Sequence, residues 1–239
     1  MEALTNLLEN AWILVAGLAV RFAVAAMLLG VLVLVLLPFL YAGEGARRLW
    51  MRLAGFGSVG GLTWRRRTYY SPAHAWLRAR SGRLRIGLDD LAGRLLRTVD
   101  TVVFPAAGTY LKEGDALLTV GTGRRGVVIP SPVEGTVARV NEHVEEEPQR
   151  IVDDPYGRGW LVEVQPASDR FRTLRHDDEA RTWMRHEAAR LSLALEQVTG
   201  IMAADGGELV VPSHLLIGDE QRVGLERQFL NAEPTTVRE

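Results

Sequence analysis

An apolar run near the N-terminus limits what this chain of 239 residues can fold into more than any other feature. It extends from Ala11 to Gly43 with one charge, at Arg21, and its uncharged part from Phe22 to Gly43 is about 22 residues long. At about 1.5 Å per helical residue, that part spans roughly 30 Å, the thickness of a bilayer's hydrocarbon core. The sequence therefore predicts a transmembrane helix over residues 11–43, after an extracytoplasmic segment, residues 1–10.

The charges on either side of this run predict its orientation. A cleaved secretory signal is the alternative to a span, but it carries its positive charge before a shorter apolar run. Here Glu2 and Glu9 precede the run, and six basic residues follow it: Arg47, Arg48, Arg52, Arg65, Arg66 and Arg67. Because basic flanks stay on the cytoplasmic side, we expect a single-pass protein of the inner (plasma) membrane with its N-terminus outside and its C-terminal domain in the cytoplasm.

Residues 44–67 combine those arginines with a glycine-rich stretch from Gly55 to Trp64. This pattern predicts a basic juxtamembrane segment followed by a flexible tether. A basic cluster so close to a span indicates contact with anionic lipid headgroups rather than nucleic acid. For Arg21 two placements stay open: at the outer interface, or paired with an acidic group or lipid phosphate of a neighbouring subunit.

Composition excludes several kinds of site. The chain has no cysteine, so disulfides, thiolate metal sites and cysteine nucleophiles are ruled out. Lysine occurs once, at Lys112, against 27 arginines, and the net charge is -1. Twelve of those arginines, against four acidic residues, lie between Glu44 and Asp100.

Short strand-like runs separated by glycine or proline turns dominate the middle of the chain. The runs are 84–88, 101–104, 116–120, 126–129 and 135–140. Asp89 to Leu96 is the one helical interruption, with an acidic pair at its start. The fold class we expect is mainly β with α additions, an antiparallel sandwich or flattened barrel behind one N-terminal span.

Four ordered blocks make a resemblance specific. They are Tyr70-Ser71-Pro72-Ala73-His74-Ala75-Trp76-Leu77, Ile86-Gly87-Leu88-Asp89-Asp90, Pro130-Ser131-Pro132-Val133-Glu134-Gly135-Thr136-Val137 and Asp153-Asp154-Pro155-Tyr156-Gly157-Arg158-Gly159-Trp160-Leu161. Together they resemble the H protein of the glycine cleavage system over residues 68–168. The resemblance implies a lipoyl-type β-sandwich hammerhead with short helices.

The same resemblance implies a lipoamide arm on a lysine at a hairpin tip, and here the chain departs from the family. Counting back from Pro132 puts the attachment position at Arg124, and Gly121 replaces the acidic residue that normally precedes it. An arginine stays protonated and is a poor acyl acceptor. We therefore expect no cofactor, and Arg124 and Arg125 become a candidate docking contact. Lys112 is the alternative carrier, but its surroundings match an ordinary turn.

Other candidate chemistry is weaker. His74 and Trp76 are expected to pack or hydrogen-bond within their strand motif. His143 lies beside Glu145, Glu146 and Glu147, but no second histidine is spaced to complete a metal site. No catalytic residue and no metal is predicted, and the chain is not expected to be an enzyme.

The C-terminal third exceeds what a minimal carrier needs. Residues 169–200 predict an amphipathic helix with an acidic start and an apolar stripe through Met184, Ala188, Leu191, Leu195 and Val198. The stripe packs either on the chain's own sandwich or on another subunit. In the extension 201–239 we expect short strands from Gly206 to Ile217, a helix from Asp219 to Leu230, and a tail from Ala232 that is disordered or ordered by a partner.

Two functions follow. The first is a non-catalytic accessory subunit whose cytoplasmic H-protein-like domain docks onto integral membrane subunits of a larger complex. The second is a membrane-tethered carrier in glycine cleavage or in acyl or one-carbon transfer. The layout is also similar to that of the H subunit of purple bacterial reaction centres, which suggests a photosynthetic or respiratory host complex on layout alone.

Overall fold

The computed structural model describes residues 17–34, 51, 53–123, 125–199, 217–231 and 233–236. The chain divides into two compact units between Ala54 and Gly55. The predicted segment 1–10, three of the predicted basic contacts (Arg47, Arg48 and Arg52) and Arg124 lie outside the described residues.

The described part of the first unit is one exposed helix, α1, Gly17–Leu34, together with residues 51, 53 and 54. Its mean hydropathy of 2.4 over 18 residues makes it long and apolar enough to cross a membrane. The remaining ends of the predicted span, 11–16 and 35–43, lie outside the described residues. Arg21 lies within α1 and is exposed.

The second unit is built on three antiparallel sheets. The strands are β1 Phe56–Val59, β2 Leu62–Arg65, β3 Tyr69–Tyr70, β4 Ala75–Arg80, β5 Arg83–Leu88, β6 Thr101–Val103, β7 Tyr110–Leu111, β8 Ala116–Thr122, β9 Arg125–Pro130, β10 Gly135–Val140, β11 Trp160–Pro166, β12 Arg175–His176 and β13 Glu233–Thr236. A seven-stranded sheet has the order β12-β3-β4-β5-β11-β10-β7, a four-stranded sheet has the order β13-β9-β8-β6, and β1 pairs with β2.

The helices of this unit are short except for two near the C-terminus. They are α2 Asp90–Leu96, α3 Glu142–Glu146, α4 Arg150–Asp153, α5 Asp177–Thr199 and α6 Asp219–Leu230, with a 3-10 helix at Asp169–Thr173. The predicted helix at 89–96 is confirmed, and its first residue acts as the cap: the Asp89 carboxylate accepts a hydrogen bond from the Ala92 amide at 3.0 Å.

Alternation of side chains explains why the sequence indicated the strands correctly. In β10, Gly135 and Val137 are buried while their neighbours are partly exposed, the period-two pattern of a strand with one face on the core. All five predicted runs fall on strands, and the expectation of a mainly β domain with helical additions is confirmed. Leu117, Ile129, Val137 and Val164 belong to one hydrophobic core.

The glycine-rich stretch from Gly55 to Trp64 is not a flexible tether, so that prediction is wrong. It forms the β1–β2 hairpin, and Leu62 and Trp64 are buried. The hairpin is tied to the sandwich because the Arg65 amide donates to the Tyr70 hydroxyl at 2.8 Å and the Tyr156 hydroxyl donates to the Thr63 carbonyl at 2.9 Å. The folded domain therefore begins near Gly55 rather than at residue 68.

The predicted amphipathic helix 169–200 starts later than expected, because the 3-10 helix and β12 precede α5. Its apolar stripe packs on the chain's own domain, against β1, β2 and β3. This confirms the first of the two alternatives, packing within the chain rather than on another subunit. Met184, Ala188, Leu191 and Leu195 are buried there.

The C-terminal extension is partly described. The expected helix from Asp219 to Leu230 is confirmed as α6, which contacts α2. Residues 233–236, expected in a disordered or partner-ordered tail, form β13 on the edge of β9. Nearly all of the expected strand region 206–217 lies outside the described residues.

A substitution at a glycine of the β1–β2 hairpin, with one at a glycine of α6 as its control, tests whether the hairpin is packed. A Cβ on Gly57 would lie 2.5 Å from the Trp64 indole nitrogen, whereas a Cβ on Gly224, in α6, would meet nothing within 4 Å. We expect Gly57→Ala to lower the free energy of unfolding by about 1–3 kcal/mol through overpacking. The control Gly224→Ala should leave stability unchanged or raise it by up to about 1 kcal/mol. Chemical unfolding of the full chain in detergent micelles measures both, and equal stability of wild type and Gly57→Ala would contradict the packed hairpin.

Candidate functional site

The turn between β8 and β9 is held by the segment that precedes β6. Thr122 and Arg125 are the last pair of the two strands, and Gly123 adopts a φ of +59°. The Gly123 amide donates to the Asp100 carboxylate at 2.7 Å, and the Thr122 hydroxyl donates to the Thr98 carbonyl. The position that corresponds to the lipoyl attachment, Arg124, lies outside the described residues, directly between Gly123 and Arg125 in sequence.

Arg125, predicted as a docking contact beside Arg124, makes an ion pair within the domain. Its guanidinium contacts the Glu226 carboxylate of α6, which is buried. Sequence reasoning missed this ion pair because Glu226 lies 101 positions away from Arg125, and no local pattern connects the two residues.

The outer edge of β9 is covered by the C-terminus of the same chain. β13 pairs antiparallel with β9 over four residue pairs, from Glu233 opposite Val128 to Thr236 opposite Arg125. An exposed strand edge is a template for pairing with another chain, and here it is already paired. The hairpin is therefore bounded by Asp100 on one side and the C-terminal extension on the other.

Lys112 lies at the wrong end of the hairpin to replace the missing lysine. Its backbone amide donates to the Asp115 carboxylate at 2.8 Å in the turn that leads into β8. That turn precedes Ala116, which opposes Pro130, whereas the tip lies beyond Thr122 and Arg125. At about 3.3 Å per strand residue, the two ends of β8 are roughly 20 Å apart.

The lipoyl group that the resemblance implies does not fit this hairpin. The attachment position carries a guanidinium rather than an amine. The neighbouring Arg125 is engaged by Glu226, and the β9 edge is occupied by β13. The arrangement is that of a hairpin packed into its own domain.

His74, which sequence reasoning assigned to packing or hydrogen bonding, lies in the interior of the domain between two carboxylates. It is fully buried with a φ of +58°, and its Nδ1 lies 2.8 Å from the Asp89 carboxylate. Its Nε2 lies 3.7 Å from the Glu187 carboxylate of α5, an ion-pair rather than a hydrogen-bond distance. The ring stacks on Trp183, with ring centroids 4.8 Å apart.

These two carboxylates decide the charge of His74. Burial by itself lowers the pKa of the imidazole, but the charges of Asp89 and Glu187 and their contacts with the ring outweigh burial and raise the pKa of His74 to about 9. The pKa of Glu187 is lowered: burial acts against this shift, and contacts with His74 and Arg190 overcome it. The ring is therefore an imidazolium at neutral pH. Its neighbours within the domain give it a structural role.

The remaining predicted residues divide between internal contacts and surface. Arg65 lies in β2, where its guanidinium donates to the Tyr156 carbonyl at 3.1 Å and stacks over Phe56 at 4.7 Å. Arg66 and Arg67 are exposed, although the Arg67 amide donates to Asp177 at 2.9 Å.

The other two aromatic candidates do not form a reactive site. Trp76 is buried and donates from its indole nitrogen to the Pro155 carbonyl at 3.1 Å. His143 is exposed, 3.7 Å from Glu146. Among the residues that the structure describes, no three histidine, aspartate or glutamate side chains converge as metal ligands.

The domain has two large antiparallel sheets, a smaller two-stranded sheet and the β8–β9 hairpin at the position where the resemblance places the lipoyl attachment, the arrangement of a lipoyl-type β domain. The family model for the glycine cleavage H-protein matches residues 68–187, about half of the chain. The chain therefore belongs to the glycine cleavage H-protein family.

Individual relatives cover the same region. The chain is 34% identical to the "Glycine cleavage system H protein 4" of Aquifex aeolicus over 97 residues. These residues make up 41% of this chain and 57% of that protein. It is 32% identical over 103 residues to the "Probable glycine cleavage system H protein" of Picrophilus torridus, 43% of this chain and 82% of that one. A crystal structure of a glycine cleavage system H protein from Mycobacterium marinum is 27% identical, with a TM-score of 0.41, over 43% of this chain and 85% of that chain.

The charge on His74 predicts how stability depends on pH. The folded-state pKa of about 9 lies above the ordinary value of 6.5, so its stabilisation is present below pH 6.5 and lost as pH rises through 9. We expect the free energy of unfolding to fall by about 3 kcal/mol over that interval. Glu187→Gln removes one of the two carboxylates that raise the pKa of His74. The loss of stability should therefore occur at lower pH in this variant. Denaturant titrations of the full chain in detergent micelles from pH 6 to pH 10 measure it; a flat profile for wild type would show that His74 is neutral.

Proposed function

We propose that this chain is a non-catalytic, single-pass accessory subunit of a larger membrane complex, in which an H-protein-family domain without a lipoyl arm serves for docking. The observation that carries the proposal is Arg124 at the attachment position, because a guanidinium does not accept an acyl group. The domain keeps the scaffold of a carrier family and lacks the amine on which carrying depends.

The C-terminal extension supports this reading. A swinging arm needs a hairpin tip that can enter a partner's active site. In this chain β13 lines β9 up to Arg125, and Glu226 of α6 pairs with Arg125. Both contacts hold the hairpin within its own domain, as a rigid docking element requires.

The N-terminal part supports a membrane location. Helix α1 is apolar enough to span a bilayer. The basic residues that follow in sequence, from Arg47 to Arg67, favour a cytoplasmic domain of an inner-membrane protein with its N-terminus outside. Anionic headgroups are the partner proposed for these arginines, and Arg66 and Arg67 are exposed. Integral membrane subunits are the partners proposed for the domain, in a photosynthetic or respiratory complex.

Family membership favours one alternative, a membrane-tethered carrier in glycine cleavage or in acyl or one-carbon transfer. The relatives are named as glycine cleavage system H proteins. In this chain such a role requires modification of the only lysine, Lys112, in the turn at the far end of β8.

Intact mass spectrometry separates the two functions. We expect the full chain, purified from its own membranes, to have the mass of the unmodified sequence. Lys112→Arg is the matched control, because it removes the only lysine and should leave assembly with co-purifying membrane proteins unchanged. A wild-type species heavier by one lipoyl group that disappears in Lys112→Arg would establish the carrier.

A charge reversal at the tip tests the docking role. We expect Arg124→Glu to weaken association with the co-purifying membrane subunits about tenfold, the loss of one charge-assisted contact. Arg181→Glu is the control, since Arg181 is exposed on α5 and carries the same charge. The measurement is the fraction of partner subunits retained at rising salt. Equal retention by both variants would remove the tip from the docking surface.

A further inference from the structure

A second basic surface lies on the seven-stranded sheet, away from the β8–β9 hairpin. It surrounds a cavity of about 430 Å³ at the β4–β5 turn, lined by Arg80, Ser81, Arg83, Arg85, Arg139 and Glu163. Its volume lies in the range of about 300–1,000 Å³ that small-molecule sites occupy. Four of the six lining residues are arginines.

Strand register forces these arginines together. Arg78 lies opposite Arg85, and Arg80 lies opposite Arg83, in consecutive pairs of the same face of β4 and β5. Like charges directly opposite each other destabilise a sheet. The two-residue turn at Ser81 and Gly82, with φ values of +50° and +79°, fixes this register.

One carboxylate and one indole orient the far side of the cavity. Glu163 Oε1 lies 2.7 Å from Arg85 and 3.2 Å from Arg139. The same two guanidinium groups lie over the Trp160 ring, at 4.6 and 4.9 Å from its centroid. Because Glu163 and Trp160 already hold both side chains, little rotamer entropy remains to be lost when a ligand binds.

On the turn side of the cavity, Arg80 and Arg83 form no salt bridge within the described ranges. The same holds for Arg78, which is half-buried and lies opposite Arg85 beside the lining residues. Burial and the neighbouring charges of Arg65, Arg85 and Arg80 lower the pKa of Arg78. An anion placed in the cavity would relieve that repulsion.

We propose that the arginine cluster at the β4–β5 turn is a binding site for a phosphate-bearing ligand. Guanidinium forks match phosphate oxygens in a bidentate manner, and several of them converge on one cavity. The phosphate can belong to a lipid headgroup or to a soluble compound, and the chemistry of recognition is the same. The site is separate from the hairpin tip and does not depend on the accessory role proposed above.

The test uses the full chain in phosphatidylcholine nanodiscs, titrated by calorimetry with two probes. Pyrophosphate represents a soluble ligand, and dihexanoyl phosphatidate, with dihexanoyl phosphatidylcholine as its neutral control, represents a headgroup. We expect at least one anionic probe to bind wild type, and Arg80→Glu with Arg83→Glu to weaken it at least about tenfold. The matched double variant, Arg181→Glu with Arg185→Glu, changes the same charge on the exposed face of α5 and should stay within about twofold.

The relative affinities of the two anionic probes identify the source of the phosphate. Tighter binding of dihexanoyl phosphatidate assigns the site to a headgroup, and tighter binding of pyrophosphate assigns it to a soluble phosphate compound. Arg139→Gln, on the opposite wall and exposed, gives an independent loss of binding should the first double variant unfold. No binding of either probe by wild type, or an equal loss in both double variants, would overturn the proposal.

Discussion

A buried imidazolium between two carboxylates holds the separate parts of the folded domain together. His74 comes from the turn before β4, Asp89 caps α2, and Glu187 comes from α5. Burying charges is costly, and removing one partner of a buried ion pair leaves the other uncompensated, at a cost of about 3–5 kcal/mol. Helix α5 is therefore bound to the rest of the domain by charge as well as by its apolar stripe. Trp183, also from α5, stacks on the His74 ring at the same contact.

The C-terminal extension makes further contacts that hold the domain together. α6 contacts α2, and its Glu226 pairs with Arg125 at the start of β9. β13 then closes the edge of the same strand. The hairpin that carries a prosthetic arm in the lipoyl class is thus surrounded by segments of its own chain. The β13–β9 pairing and the contact of Glu226 with Arg125 both hold the start of β9 within the domain.

Charge in this protein is arranged by the fold. The net charge of -1 conceals a sheet face on which arginines stand opposite arginines, with Glu163 as the shared carboxylate. The abundance of arginine over lysine in the chain supplies guanidinium groups, but only the registers of β4, β5, β11 and β10 bring them to one cavity. Sequence reading counted an excess of basic residues after the span and assigned it to lipid headgroups. It could not separate Arg65, which is engaged by Tyr156 and Phe56, from the exposed Arg66.

The sequence by itself determined the elements whose signals are local. Alternation predicted β10, an acidic cap predicted α2, spacing of three and four predicted the buried stripe of α5, and residue identity alone removed the amine at position 124. Only the tertiary structure decided that Gly55–Trp64 is a hairpin, because a glycine-rich sequence is equally compatible with a flexible tether. The neighbour that leaves no room for a side chain at Gly60 is the Cβ of Ala188, which lies far away in the chain. The same holds for the charge of His74 and the closure of β9. Each depends on a partner more than ten positions distant, and a local pattern carries no information about which distant side chain packing will bring into contact.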